Sequence, residues 1–67
     1  MDSVFPELAK EMANRKMHYR DLAKVAGTSD MQMYRRLRGL SRWQMHEVLS
    51  ISDYFGHSDI KVLFARR

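Results

Sequence analysis

The chain has 67 residues, 12 Lys+Arg against 8 Asp+Glu, a net charge of +4 at pH 7 and no cysteine. At this length a chain buries only about 60% of its unfolded surface, which predicts a single small domain over residues 1–67, without the depth for a catalytic cleft. A disulfide, a thiolate zinc site and a cysteine nucleophile are excluded, the apolar stretches fall far short of the ~20 residues that span a bilayer, and the early acids Asp2 and Glu7, without an apolar run, argue against a secretory signal; the expectation is a small soluble, cytoplasmic domain whose basic excess suits an anionic partner.

Three glycines and one proline divide the chain. Pro6 suits the first turn of a helix, where its missing N–H costs little. Behind it Phe5, Leu8, Ala9, Met12 and Ala13 recur at helical spacing, which predicts a first helix over about 4–15. Met17 is expected to turn inward from the connection that follows. A second helix runs from Tyr19 to Ala26, with Leu22, Ala23 and Ala26 inward, and ends at Gly27, where a left-handed residue is needed. Thr28, Ser29 and Asp30 are cap candidates for a third helix over 30–38, anchored by Met33 and Leu37 and stopped by Gly39. After the loop Gly39–Arg42, a fourth helix over about 44–55 carries Met45, Val48, Leu49, Ile51, Tyr54 and Phe55 as a wide apolar stripe. Its start fits either a capping box of Ser41 with Gln44 or a staple of Trp43 on Val48. Past Gly56, Ser58 is expected to cap a last short helix with Ile60, Leu63 and Phe64 inward; the alternation Ile60, Val62, Phe64 also suits a strand, and the helix is preferred. Met1, Met12, Met17, Met31, Met33 and Met45 are expected to be mostly core filling. The fold expected is all-α, a compact bundle of about five short helices.

Charge gives this scaffold a direction. Residues 1–33 hold five bases and five acids, whereas residues 34–67 hold seven bases and three acids, so the whole excess lies in the second half. Arg35, Arg36, Arg38 and Arg42 fall within eight residues that contain no acid. Two helices joined by the turn Gly27–Ser29, with small Ala23 allowing close approach, form the core of a helix-turn-helix over about 19–38. At 100° per residue, turning Met33 and Leu37 inward points Arg35 outward, flanked by Met31, Gln32 and Arg38. Arginine gives two hydrogen bonds to guanine O6/N7, and glutamine pairs with adenine N6/N7. Met31 suits a thymine methyl, and Thr28, Ser29 and the amides of the helix start suit a phosphate.

From about Leu8 to Phe64 the sequence resembles the Cro/CI-type helix-turn-helix family of phage and bacterial repressors. The resemblance lies in Leu22-Ala23, Gly27, Met33, Leu37-Arg38-Gly39, Trp43, Met45, Glu47, Ile51 and Phe55-Gly56, and the segment RLRGLSRWQMHEVLSISDYFG is similar to small phage-encoded members. It implies a five-helix, lambda-repressor-like domain that binds pseudo-palindromic operator DNA as a two-fold dimer. Carried over by position, Ser29, Asp30, Met31, Gln32 and Arg35 face bases, while Tyr19, Thr28, Arg36, Arg38, Ser41 and Arg42 face phosphates. His18 stands where the family has a Ser/Thr cap, and Tyr19 where it has Gln. Asp30 is expected to cap its own helix. Dimer contacts are expected from the fourth helix and segment 57–67, with Ile60, Val62 and Phe64 as candidates.

His18, His46 and His57 are not spaced as metal ligands, and no Gly-rich phosphate loop or nucleophile turn is present. No metal, cofactor, small-molecule ligand, membrane association or catalysis is expected. Three functional readings stand side by side: a sequence-specific DNA-binding regulator of Cro type, a protein-interaction module or antirepressor that kept the fold without specific DNA binding, and a charge-driven non-specific binder. Under the first, four phosphates neutralised per monomer predict a log–log salt slope of about −7 for a dimer.

Overall fold

The computed structural model describes residues 3–67; Asp2, and Met1 with its expected core role, lie outside them. Five helices and no strand occur among the described residues. The first, α1 (Pro6–Asn14), carries Pro6 in its first turn and buries Leu8 and Met12, one turn apart. Ala13, expected inward, is exposed at the end of the helix. Lys16, at φ 54°, then reverses the chain and brings half-buried Met17 onto the core.

Helix α2 (Tyr19–Ala26) matches its expected bounds and buries Leu22, Ala23 and Ala26. Its first turn is satisfied by Asp21, whose Oδ2 accepts from the His18 amide at 2.9 Å. Gly27 takes the left-handed conformation (φ 70°), and the Thr28 amide donates to the Ala23 carbonyl at 3.0 Å, closing the helix end. Helix α3 (Asp30–Leu37) is capped by Ser29, not by Asp30: Ser29 Oγ accepts from the Gln32 amide at 3.2 Å. A cap must precede the first helical residue, and Asp30 already has helical backbone. Met33 and Leu37 are fully buried.

Helix α4 (Met45–Phe55) starts differently from expectation. Gln44 is the cap residue, and its amide donates to Glu47 Oε1 at 2.9 Å, so the pair is Gln44–Glu47 rather than Ser41–Gln44. Trp43 meets Phe5 and Phe64 edge-on, with ring centroids 5.6 and 4.9 Å apart. Val48, Ile51 and Phe55 turn inward, but Met45, Leu49 and Tyr54 do not: all three are more than half exposed. The stripe read from sequence is therefore wider than the surface the other helices cover. Helix α5 (Ile60–Leu63) is a helix and not a strand; its cap is Asp59, whose Oδ1 accepts from the Val62 amide, in place of Ser58. Only Leu63 is fully buried there, and Ile60 points outward.

Helix α2 packs on both α3 and α4, and α5 on α1 and α4. The core joins Phe5, Leu8, Met12, Leu22, Met33, Leu37, Ile51, Phe55 and Leu63. Both ends of the described chain meet the last turn of α3: the Val4 amide donates to the Leu37 carbonyl at 3.0 Å, and the Arg67 amide to the Val4 carbonyl at 2.7 Å. Arg15, paired with Glu11 at 2.6 Å, lies 4.7 Å above the Phe55 ring and donates to the Phe55 carbonyl, tying α1 to the negative end of the α4 dipole.

One polar link crosses the interior. Arg36 Nε donates to Glu47 Oε1 at 2.6 Å, with Arg36 only 5% and Glu47 1% exposed. Removing one member of a buried pair strands the other charge, at about 3–5 kcal/mol; the usual per-residue stability gives a chain of this size roughly 3–10 kcal/mol in all. Glu47→Leu alone is expected to unfold much of the population, whereas Arg36→Met combined with Glu47→Leu restores most of the stability; urea denaturation followed by circular dichroism measures both.

Candidate nucleic-acid interface

The outward surface of α3 continues into the loop that follows. Asp30, Met31, Gln32, Arg35 and Arg38 are exposed on the helix, and Leu40 and Arg42 beyond it, with Ser41 half-buried. Met31 keeps 64% of its surface in water, unusual for a thioether and suited to a partner with a methyl group. Arg35 makes no side-chain hydrogen bond or ion pair among the described residues, as its position opposite Met33 and Leu37 requires.

Thr28 and Ser29 lead into this face. Thr28 is half-buried behind the turn. The Ser29 oxygen is engaged as the cap, which leaves its hydroxyl proton to donate. Asp30 lies 3.9 Å from Arg20 Nε. The phenolic group of Tyr19 first, and then the Asp30 carboxylate, hold the Arg20 guanidinium above its ordinary pKa.

Arg36 corrects the sequence reading. Expected on a phosphate, it is buried against Glu47 and cannot reach a duplex. At 100° per residue it falls about 80° from the inward direction of α3, on the flank that α4 covers, and the carboxylate there fixes it inside. Phe64, expected at a dimer interface, is half-buried against Trp43, whereas Ile60 and Val62 stay exposed.

The opposite flank holds a group that sequence reasoning missed. Tyr19 and Tyr34 meet edge-on with centroids 5.6 Å apart. Arg38 Nη1 donates to the Tyr34 hydroxyl at 2.9 Å, and Arg20 lies 5.6 Å from the Tyr19 ring centre. The result is a row, Arg20–Tyr19–Tyr34–Arg38, with two phenols in edge-on contact between two exposed guanidiniums. The i, i+4 spacing of Tyr34 and Arg38 was a readable signal; the link to Tyr19, fifteen residues earlier, was not. With Arg36 neutralised inside, the positive groups of this face are Arg20, Arg35, Arg38 and Arg42.

The sequence profile of the Cro/C1-type HTH DNA-binding domain matches residues 7–58. That span takes in α1 through α4 and the cap that follows, so the chain belongs to the Cro/C1-type helix-turn-helix family and carries its DNA-binding domain. Comparison with curated proteins and with solved structures gave no match. No helix among the described residues is long and apolar enough to cross a membrane.

Tyr34→Phe removes the hydroxyl that holds Arg38 and leaves the ring in place. Duplex affinity is expected to fall by about 0.5–1.5 kcal/mol, by the same factor for all sequences, in fluorescence-anisotropy titrations of several unrelated duplexes.

Proposed function

We propose that the chain is a sequence-specific regulator of transcription, a Cro-like repressor that inserts α3 into the major groove of operator DNA. The observation that carries this reading is the exposed α3 face. In a domain of a DNA-binding family, Met31, Gln32 and Arg35 stand outward on a helix anchored by Met33 and Leu37. Their chemistry is that of base readout: a methyl-seeking thioether, an amide and a bidentate guanidinium. Arg20, Arg38, Arg42, Ser41, Thr28 and Tyr19 ring them and take phosphates, setting register without reading sequence.

Repression is by occlusion, with two copies on half-sites one helical turn apart. The surface best suited to join them lies away from α3. Leu49 and Ile60 line one groove between α4 and α5, and Val62 is exposed beside them in sequence.

Arg35→Ala is expected to flatten preference at one base pair, at about 1–3 kcal/mol, while Arg42→Ala weakens all duplexes alike. Binding-site selection followed by titration distinguishes the two; equal losses on every sequence from both would sink specific readout. With Arg20, Arg38 and Arg42 on phosphates, three charges per monomer where four were assumed above, the salt slope for a dimer is expected to be about −5. Leu49→Asp with Val62→Asp should leave the fold intact, give a monomer in sedimentation, and abolish cooperative occupation of paired half-sites.

A further inference from the structure

The buried guanidinium of Arg36 also reaches the reading face. Its Nη1 donates to the Gln32 backbone carbonyl at 3.2 Å and to the Gln32 side-chain oxygen Oε1 at 2.8 Å. A guanidinium carries five donors and no acceptor, so the Gln32 amide must turn its oxygen toward Arg36 and its NH2 away. Arg36 is itself fixed, because Glu47 holds Nε at 2.6 Å and Glu47 is engaged by the Gln44 amide at 2.9 Å. A chain of contacts therefore runs from the start of α4, through the interior, to the exposed side of α3.

A glutamine with both ends free reads adenine, its oxygen accepting from N6 and its NH2 donating to N7. One of the two lone pairs of the Gln32 oxygen is taken by Arg36, which holds that oxygen on the flank of α3 where Arg36 lies. What it offers the groove is an NH2 with two hydrogens, and the purine edge that presents two acceptors there is guanine, with N7 and O6. We propose that Gln32 selects guanine over adenine, and that Arg36 is the positioning residue that imposes this choice from behind the helix. This rests on the DNA-binding reading above and reverses the adenine pairing expected from sequence.

Selection of duplexes from a random pool, by the wild-type chain and by Gln32→Ala, identifies the base pair that Gln32 reads as the one whose preference the variant loses. Guanine is expected there, favoured over adenine about ten-fold or more. Replacing that guanine by 7-deazaguanine should weaken the wild-type chain and leave Gln32→Ala unaffected. Gln32→Glu keeps an acceptor for Arg36 but lacks the donor, and should lose the guanine preference without losing stability. In the Arg36→Met, Glu47→Leu chain, with its fold checked by urea denaturation, the amide is released and the guanine-to-adenine ratio should shrink toward parity. Adenine at the selected position, or no position that Gln32→Ala relaxes, overturns the proposal while leaving Arg35 readout standing. An unchanged ratio in the folded double variant overturns the role of Arg36. Failure of the wild-type chain to select any sequence overturns the DNA-binding reading, and this inference with it.

Discussion

The ion pair between Arg36 and Glu47 is the constraint on which the reading surface depends. Helix α3 has eight residues, and an isolated helix of that length is marginal in water. Its shape and direction come from what holds it below. Met33 and Leu37, both fully buried, turn one side of the helix inward. The guanidinium–carboxylate contact adds a directional link on the flank that α4 covers. Taking two charges out of water is expensive, and such pairs seldom add net stability. Here the gain is one of position: the pair ties α3 to the start of α4 and holds Arg36 against Gln32.

The arginines show how one residue type serves different ends according to where it lies. Arg15 sits at the C-terminal end of α4 and over an aromatic ring. Arg36 is internal and neutralised. Arg35, Arg38 and Arg42 are exposed, and Arg38 is braced by a phenol. A count of charge along the sequence treats these as equal. In the folded domain only the exposed ones contribute to the field that a polyanion meets, because the field of a paired interior charge is largely cancelled by its partner.

Much of the fold was legible because it rests on local signals. Glycines at 27, 39 and 56 mark helix ends through their backbone freedom, and Leu22, Met33 and Leu37 announce the packed pair by their spacing. The reading faltered where a residue's role depends on something distant in sequence. Glu47 looked like one member of a family pattern; that it both caps α4 and neutralises Arg36 emerges only when two helices meet. Met45, Leu49 and Tyr54 share the periodicity of core residues, yet no helix covers them, since periodicity records a face and not its neighbour. The outward set of α3 was legible by angle alone, whereas the edge-on Tyr19–Tyr34 contact and the engagement of Gln32 required side chains from different turns.

Val4 and Arg67, far apart in sequence, meet at one place on the domain. The Val4 amide closes the last turn of α3, the Arg67 amide lies on the Val4 carbonyl, and the Arg66 guanidinium rests against Gly39 at the start of the loop to Arg42. Groups next to Val4 and Arg67 therefore lie beside the loop that borders α3. Acidic residues there would lower the local potential, and basic ones would raise it, over a Debye length of about 8 Å at physiological salt. Charge at this meeting point thus sets part of the field a polyanion meets without touching the outward side of α3.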